Sequence, residues 1–150
     1  MVPWTKDDWA NLRIVVVDDS KAVRSMMKLM LRSLGVGEVL LYETVAEAME
    51  SISVQPPDLV ISDYFMVPET GLDLLQRLRD SNDALTRELP FLMMSGYDNA
   101  GGAEELEKQS ISGYMPKPVT ASLVRDYIIS ACSQRIAVGV FQDKEYRKLM

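Results

Sequence analysis

The chain has no histidine. That absence removes the commonest general base and the commonest transition-metal ligand from its chemistry. It has one cysteine, Cys132, so no disulfide can form within it. The helical context of Cys132 suggests a buried thiol, in keeping with a reducing cytoplasm. Positive charge is scarce: 16 Lys and Arg stand against 22 Asp and Glu, a formal net charge of −6, with no basic stripe. Nucleic-acid binding needs clustered Lys and Arg to neutralise phosphates, so that class is excluded. No apolar run is long enough to cross a bilayer. The start, Met1-Val2-Pro3-Trp4-Thr5-Lys6-Asp7-Asp8, has no apolar signal-peptide core. No internal repeat or low-complexity stretch is visible. These absences point to a cytoplasmic protein with neither membrane nor nucleic-acid partner.

What remains is ample for one domain. The 150 residues are 47% apolar and 25% charged, enough for a full core. Strand-like and helix-like segments alternate, which predicts an α/β fold with a parallel sheet. The expected strands are residues 13–18, 38–42, 58–62, 90–94 and 112–116. The first predicted helix has the clearest stripe: Val23, Met26, Met27, Met30, Leu31 and Leu34 recur at three- and four-residue steps. Arg24, Ser25, Lys28 and Arg32 fall on its other face. Spacing assigns all three methionines to the core. Ser20 is a plausible N-cap and Gly35 a plausible C′ stop. Thr44-Val45-Ala46-Glu47 opens the second helix as a capping box. The third follows Gly71 with Leu74, Leu75 and Leu78. The fourth, Asn99 to Ser110, is weak, because Gly101-Gly102 costs it helix propensity and little of it can be buried. The fifth runs from about Thr120 to Gln134. Residues 1–12 read as a lead-in carrying Trp4 and Trp9, 13–134 as the domain, and 135–150 as a helix extension or frayed tail.

Four apolar runs each end on a residue able to handle a phosphate or a metal ion. Arg13 to Val17 leads to Asp18-Asp19. Leu59 to Ser62 leads to Asp63. Phe91 to Met94 leads to Ser95. Gly113 to Pro116 leads to Lys117-Pro118. In an open parallel sheet, ligands bind at the carboxyl ends of the strands. Three carboxylates, a hydroxyl and an ammonium should therefore share one edge. Clustered carboxylates repel one another unless a cation lies among them. Oxygen-only ligands favour a hard ion such as Mg²⁺. Taken singly, each residue has a plainer reading. Asp18-Asp19 could cap a helix, and Asp63 could form a turn before Pro68-Glu69-Thr70-Gly71. Ser95 could be a loop residue, Lys117 a surface charge and Tyr114 a half-buried strand aromatic. The constellation, in order, is what outweighs these readings.

Val17-Asp18-Asp19-Ser20, Ser62-Asp63-Tyr64-Phe65-Met66, Met94-Ser95-Gly96 and Tyr114-Met115-Pro116-Lys117-Pro118 together resemble the receiver domain of bacterial two-component response regulators, over about residues 12–134. The resemblance implies a flavodoxin-like (βα)5 doubly wound sheet of order 2-1-3-4-5. It implies that Asp63 accepts a phosphoryl group from a partner's phosphohistidine. Since this chain has no histidine, a histidine kinase or histidine phosphotransfer protein must supply it. Asp18, Asp19, Asp63 and the backbone carbonyl of Phe65 would hold Mg²⁺. Lys117 and the Ser95 hydroxyl would contact phosphoryl oxygens, and the Tyr114 rotamer would follow Ser95. Pro118 would follow a cis peptide. Such chemistry needs mainly positioning and charge neutralisation.

The resemblance further implies a stand-alone regulator, not an enzyme. Its output would be protein binding at a surface made by the fourth predicted helix, the fifth strand and the fifth helix. Ala22, Ser25 and Leu29 on the first helix would face the phosphoryl donor. Use as a diffusible switch or as a phosphorelay shuttle or sink fits equally. Two departures stand out. Val67 occupies the place of the family's loop proline, with Pro68 one later. Phe65 and Tyr97 are aromatics where two side chains flank the phosphoryl group, so a long-lived acyl phosphate is expected. One rival is a haloacid-dehalogenase-type phosphohydrolase, which needs a second Asp two residues after its nucleophile at the end of strand one. Asp18-Asp19-Ser20-Lys21 does not provide it. The other is an unphosphorylated receiver-fold scaffold, which would not bind Mg²⁺.

Overall fold

The computed structural model describes residues 3–96 and 111–137, with side chains described as far as Ser133. Tyr97, the predicted fourth helix and the chain beyond 137 lie outside the described residues.

Five parallel strands form one sheet in the order β2-β1-β3-β4-β5. They are β1 (Arg13–Val17), β2 (Glu38–Tyr42), β3 (Leu59–Asp63), β4 (Phe91–Ser95) and β5 (Gly113–Pro116). This is the predicted doubly wound order. The three central strands are buried on both faces, as continuous apolar runs in a parallel sheet should be. Alternate residues divide into two cores. Ile14, Val16, Ile61, Leu92 and Met94 face one way. Val15, Val17, Val60, Phe91 and Met93 face the other.

The helices cover both faces: α1 (Lys6–Ala10), α2 (Lys21–Ser33), α3 (Val45–Val54), α4 (Gly71–Arg79), α5 (Ala84–Arg87) and α6 (Ala121–Ala137). Met27 and Leu31 of α2 join the first core with Val124, Ile128 and Cys132 of α6. Ala48 and Ile52 of α3 join the second with Leu74, Leu75 and Leu78 of α4. Among the described residues no helix is long and apolar enough to cross a membrane.

Local chemistry sets the helix ends. The Ser20 hydroxyl accepts the Val23 N–H at 3.3 Å. Past α2, Gly35 takes φ 97°, and the N–H groups of Gly35 and Val36 return to the carbonyls of Arg32 and Leu31. This Schellman turn needs a residue without Cβ at the left-handed position. Thr70 and Asp73 close α4 with a reciprocal box, at 3.2 and 2.8 Å. The Thr44 hydroxyl accepts the Glu47 N–H, but the Glu47 carboxylate accepts from the Thr44 hydroxyl and not from its N–H, so the expected box forms by half.

One core assignment is corrected. Met26 is 36% exposed while Met27 is fully buried, and Leu29 is 74% exposed. The apolar stripe of α2 is wider than the surface that covers it, and Met26 at its edge lines the cavity beside Lys117 and Pro118. Its outer edge reaches the surface, with Val23 and Met30 half-buried between.

Candidate functional site

The strand register brings the predicted residues to one edge. Val17 pairs with Ser62, Asp63 with Met94, and Ser95 with Pro116. The carboxyl ends of β1, β3, β4 and β5 therefore lie level, and the next residues gather there. Asp18 is fully buried and Asp63 is 6% exposed, whereas Asp19 is exposed. One carboxylate oxygen from each of the three lies within 4.8 Å of the other two. Lys117 Nζ stands 3.1 Å from Asp63 Oδ1 and 3.5 Å from Asp18 Oδ2. The Lys117 N–H donates to the Ser95 carbonyl at 2.9 Å, and Lys117-Pro118 is cis, as the resemblance implied. Val67-Pro68 is cis as well, within the altered loop.

Burial leaves this cluster under-neutralised. It pushes the Asp63 carboxyl above its ordinary range, and the neighbouring Asp18 charge adds to the push; Lys117 and the Tyr64 N–H oppose it without cancelling it. Burial draws the Lys117 ammonium down, but its bond to Asp63 and the fields of Asp18 and Asp63 outweigh that, so its pKa is raised. Three carboxylates thus face one ammonium. An oxygen-only donor set with surplus negative charge fits a small hard cation such as Mg²⁺. Asp18, Asp19 and Asp63 are placed to hold it, and Phe65 follows in the same loop.

The remaining candidates surround the cluster. Ser95 is buried at the end of β4. Tyr114 is half-buried against the second core, paired in register with Met93. Phe65 is 47% exposed, its ring centroid 4.8 Å from that of Tyr64. Beside Lys117 a cavity of about 310 Å³ is walled by Val23, Met26, Met94, Pro118 and Val119.

Two residues at this edge were not singled out by sequence. A Cβ on Gly71 would fall 2.2 Å from the Asp63 carbonyl oxygen and 2.7 Å from Met93 Sδ, so the start of α4 is wedged beneath the Asp63 backbone. A glycine just before a helical stripe is the only signal of it. Arg24, which spacing assigned to the outer face of the first helix, donates from Nη1 to the Asp18 carbonyl at 2.8 Å.

Topology and cluster together define an open α/β protein with a buried, cation-seeking carboxylate at its sheet edge. Residues 14–129 match the model of the response regulator receiver domain, and the chain belongs to that family. It is therefore a two-component signalling protein of the response regulator kind. It is 31% identical to chemotaxis protein CheY1 of Helicobacter pylori (strain 26695) over 118 residues, covering 77% of this chain and 92% of that protein. It is 29% identical to chemotaxis protein CheY of Pseudomonas aeruginosa over 123 residues, covering 78% and 93%. A response regulator receiver domain protein from Clostridium thermocellum superposes with a TM-score of 0.75 at 24% identity, over 85% of this chain and 98% of that one.

Proposed function

We propose that this protein is a cytoplasmic switch that receives a phosphoryl group on Asp63 from the phosphohistidine of a histidine kinase or histidine phosphotransfer protein. The observation that carries this reading is the buried Asp63 carboxylate, 3.1 Å from Lys117 Nζ and clustered with Asp18 and Asp19. An Asp63 oxygen attacks phosphorus, the histidine N–P bond breaks, and the leaving imidazole keeps its electron pair and takes a proton. Asp18, Asp19, Asp63 and the Phe65 carbonyl would hold Mg²⁺, which would supply charge neutralisation for the transferring group. Lys117, already paired to Asp63, exchanges that contact for a phosphoryl oxygen. The Ser95 hydroxyl turns to another oxygen, and Tyr114 follows into the space Ser95 leaves.

Residues 13–134 form the receiver on this reading, with 1–12 as a lead-in and 135–150 as a tail. The output is a protein contact at β5, α6 and the segment between β4 and β5. Phe65, exposed at the edge of the site beside Tyr64, screens the acyl phosphate from water and lengthens its life.

The test is incubation with acetyl phosphate and Mg²⁺, read by intact mass, beside Asp63→Asn. A Mg²⁺-dependent gain of one phosphoryl group, lost in the variant, is the expected result. A folded protein that gains no mass and shows no response to Mg²⁺ is a receiver-shaped scaffold, and the proposal fails.

A further inference from the structure

Three polar groups of Asp18 are tied down. Its N–H donates to the Tyr42 carbonyl of β2 at 3.1 Å. Its Oδ1 accepts the Ser20 N–H at 2.8 Å. Its backbone carbonyl accepts Arg24 Nη1 at 2.8 Å. Oδ2 is left on the side of Lys117, 3.5 Å away. Asp19 is different: its side chain is exposed, and no hydrogen bond or ion pair to it is found among the described residues. No side-chain partner among the described residues holds it, so its backbone is what sets where the side chain starts.

That backbone is not independent of Asp18. The Asp18 carbonyl and the Asp19 N–H belong to one planar peptide unit. A bond that fixes the carbonyl also fixes the plane from which the Asp19 side chain departs. Arg24 makes that bond. It lies one turn into α2, with its own N–H on the Ser20 carbonyl at 3.0 Å, so its base is rigid. Arg24 is half-buried, and its guanidinium carries a charge that makes the bond to a carbonyl stronger than a neutral one.

We propose that Arg24 is a positioning residue for the cation site: it locks the peptide joining Asp18 to Asp19 and so directs both carboxylates towards Asp63. The inference rests on the Mg²⁺ reading of that site. It has a competitor of opposite sign. A nearby guanidinium also repels a cation, so if Arg24 acted only through its charge, removing it would tighten Mg²⁺ binding. If it acts by holding the peptide, removing it loosens binding. Partners behind metal ligands are typically worth about 10–100-fold in affinity, and the loss here should fall in that range.

The experiment is calorimetric titration of MgCl₂ into the full chain, wild type beside Arg24→Met and Arg24→Lys. Arg24→Met keeps an apolar stem and removes donor and charge. Arg24→Lys keeps the charge and removes the fork. The expected result is Mg²⁺ affinity at least about tenfold weaker for Arg24→Met, with Arg24→Lys between it and wild type. In phosphorylation by acetyl phosphate, half-saturation with Mg²⁺ should rise by the same factor, while the rate at saturating Mg²⁺ stays within about twofold. A fold defect would not produce that split. Unchanged or tighter Mg²⁺ binding by Arg24→Met, beside a normal wild-type titration, overturns the role of Arg24 alone. So does a lowered saturating rate at unchanged affinity. A wild-type chain that itself shows no Mg²⁺ binding overturns the site reading and this inference together. Should Arg24→Met not fold, Arg24→Lys decides: weaker binding supports the positioning role, and wild-type affinity overturns it.

Discussion

Replacing Gly71 with alanine tests whether the start of α4 holds β3, the strand that ends on Asp63, in place. The added Cβ would meet the Asp63 carbonyl oxygen at 2.2 Å, its carbonyl carbon at 3.1 Å and Met93 Sδ at 2.7 Å. Ordinary carbon contacts begin near 3.5 Å, so backbone must retreat by about 1 Å. Met93 can turn aside, being a flexible thioether. The Asp63 carbonyl cannot, because the next residue is pinned from both sides: the Tyr64 N–H reaches the Met94 carbonyl at 2.8 Å, and its own carbonyl takes the Gly71 N–H at 2.9 Å. The φ of Gly71 is not left-handed, so conformational strain plays no part in the cost. Overpacking of this kind costs about 1–3 kcal/mol. With backbone as the obstacle, the upper half of that range is expected. Each kcal/mol lowers the melting temperature of a chain this size by about 2–4 °C. Urea unfolding gives the stability, and acetyl phosphate labelling gives the site. Gly71→Ala should lose stability and slow Asp63 labelling together. Gly96→Ala is the control, since its Cβ would meet nothing within 4 Å, and its stability should stay within about 0.5 kcal/mol. A Gly71→Ala protein as stable as that control, labelling at the wild-type rate, would refute the wedge.

In Mg²⁺-free buffer Asp63→Asn should melt higher than wild type, because Asp63 is pushed up by burial and by Asp18. A raised carboxyl binds its proton more tightly when folded, so the charged form costs stability above the folded pKa. The advantage of Asp63→Asn should therefore shrink as pH falls towards the ordinary value of 3.8, as pH-dependent thermal melts would show. Adding Mg²⁺ should stabilise the wild type by about 2.7 kcal/mol at one hundred times its Kd, and Asp18→Asn should lose most of that gain. Lys117 has a raised pKa, so its ion pairs contribute stability below 10.5 that is lost as pH rises through the higher folded value. The deficit of Lys117→Met should accordingly vanish only in strongly alkaline urea melts. Phe65→Asn should shorten the life of phosphorylated protein several-fold at fixed Mg²⁺, and an unchanged decay would remove Phe65 from that role.

Much of this was legible because signal and structure shared a scale. Each strand is a run of apolar residues long enough to show itself, and its bounds fall within one residue of expectation. The site could be read because a parallel sheet delivers the residue after each run to the same edge. What could not be read lay below that scale. Helices α1 and α5 have five and four residues, too few for a period to show. Their caps, Thr5 to Asp8 and Asp83 to Thr86, were the only traces. Met26 was misplaced because spacing gives the direction of a stripe but not the width of what covers it. Arg24 looked like a solvated charge because a helical wheel does not show which carbonyl a long side chain can reach. The wedge of Gly71 depends on how α4 meets β3, a distance no local pattern carries.

Trp4 and Trp9 meet with their rings tilted, centroids 4.6 Å apart, and Trp9 packs beside Leu12 and Gly35. These are neighbours of the amino ends of β1 and β2, so the pair lies at the opposite rim from Asp63. Both indoles of the chain are thus optically remote from its chemistry. Native tryptophan emission will follow unfolding and stay nearly silent to metal or phosphoryl group. Tyr64→Trp would add a third indole, next to Asp63, and give the molecule a second voice. Any change in emission on adding metal or phosphoryl donor to the folded protein would then come from the added indole, while the native pair continues to follow unfolding.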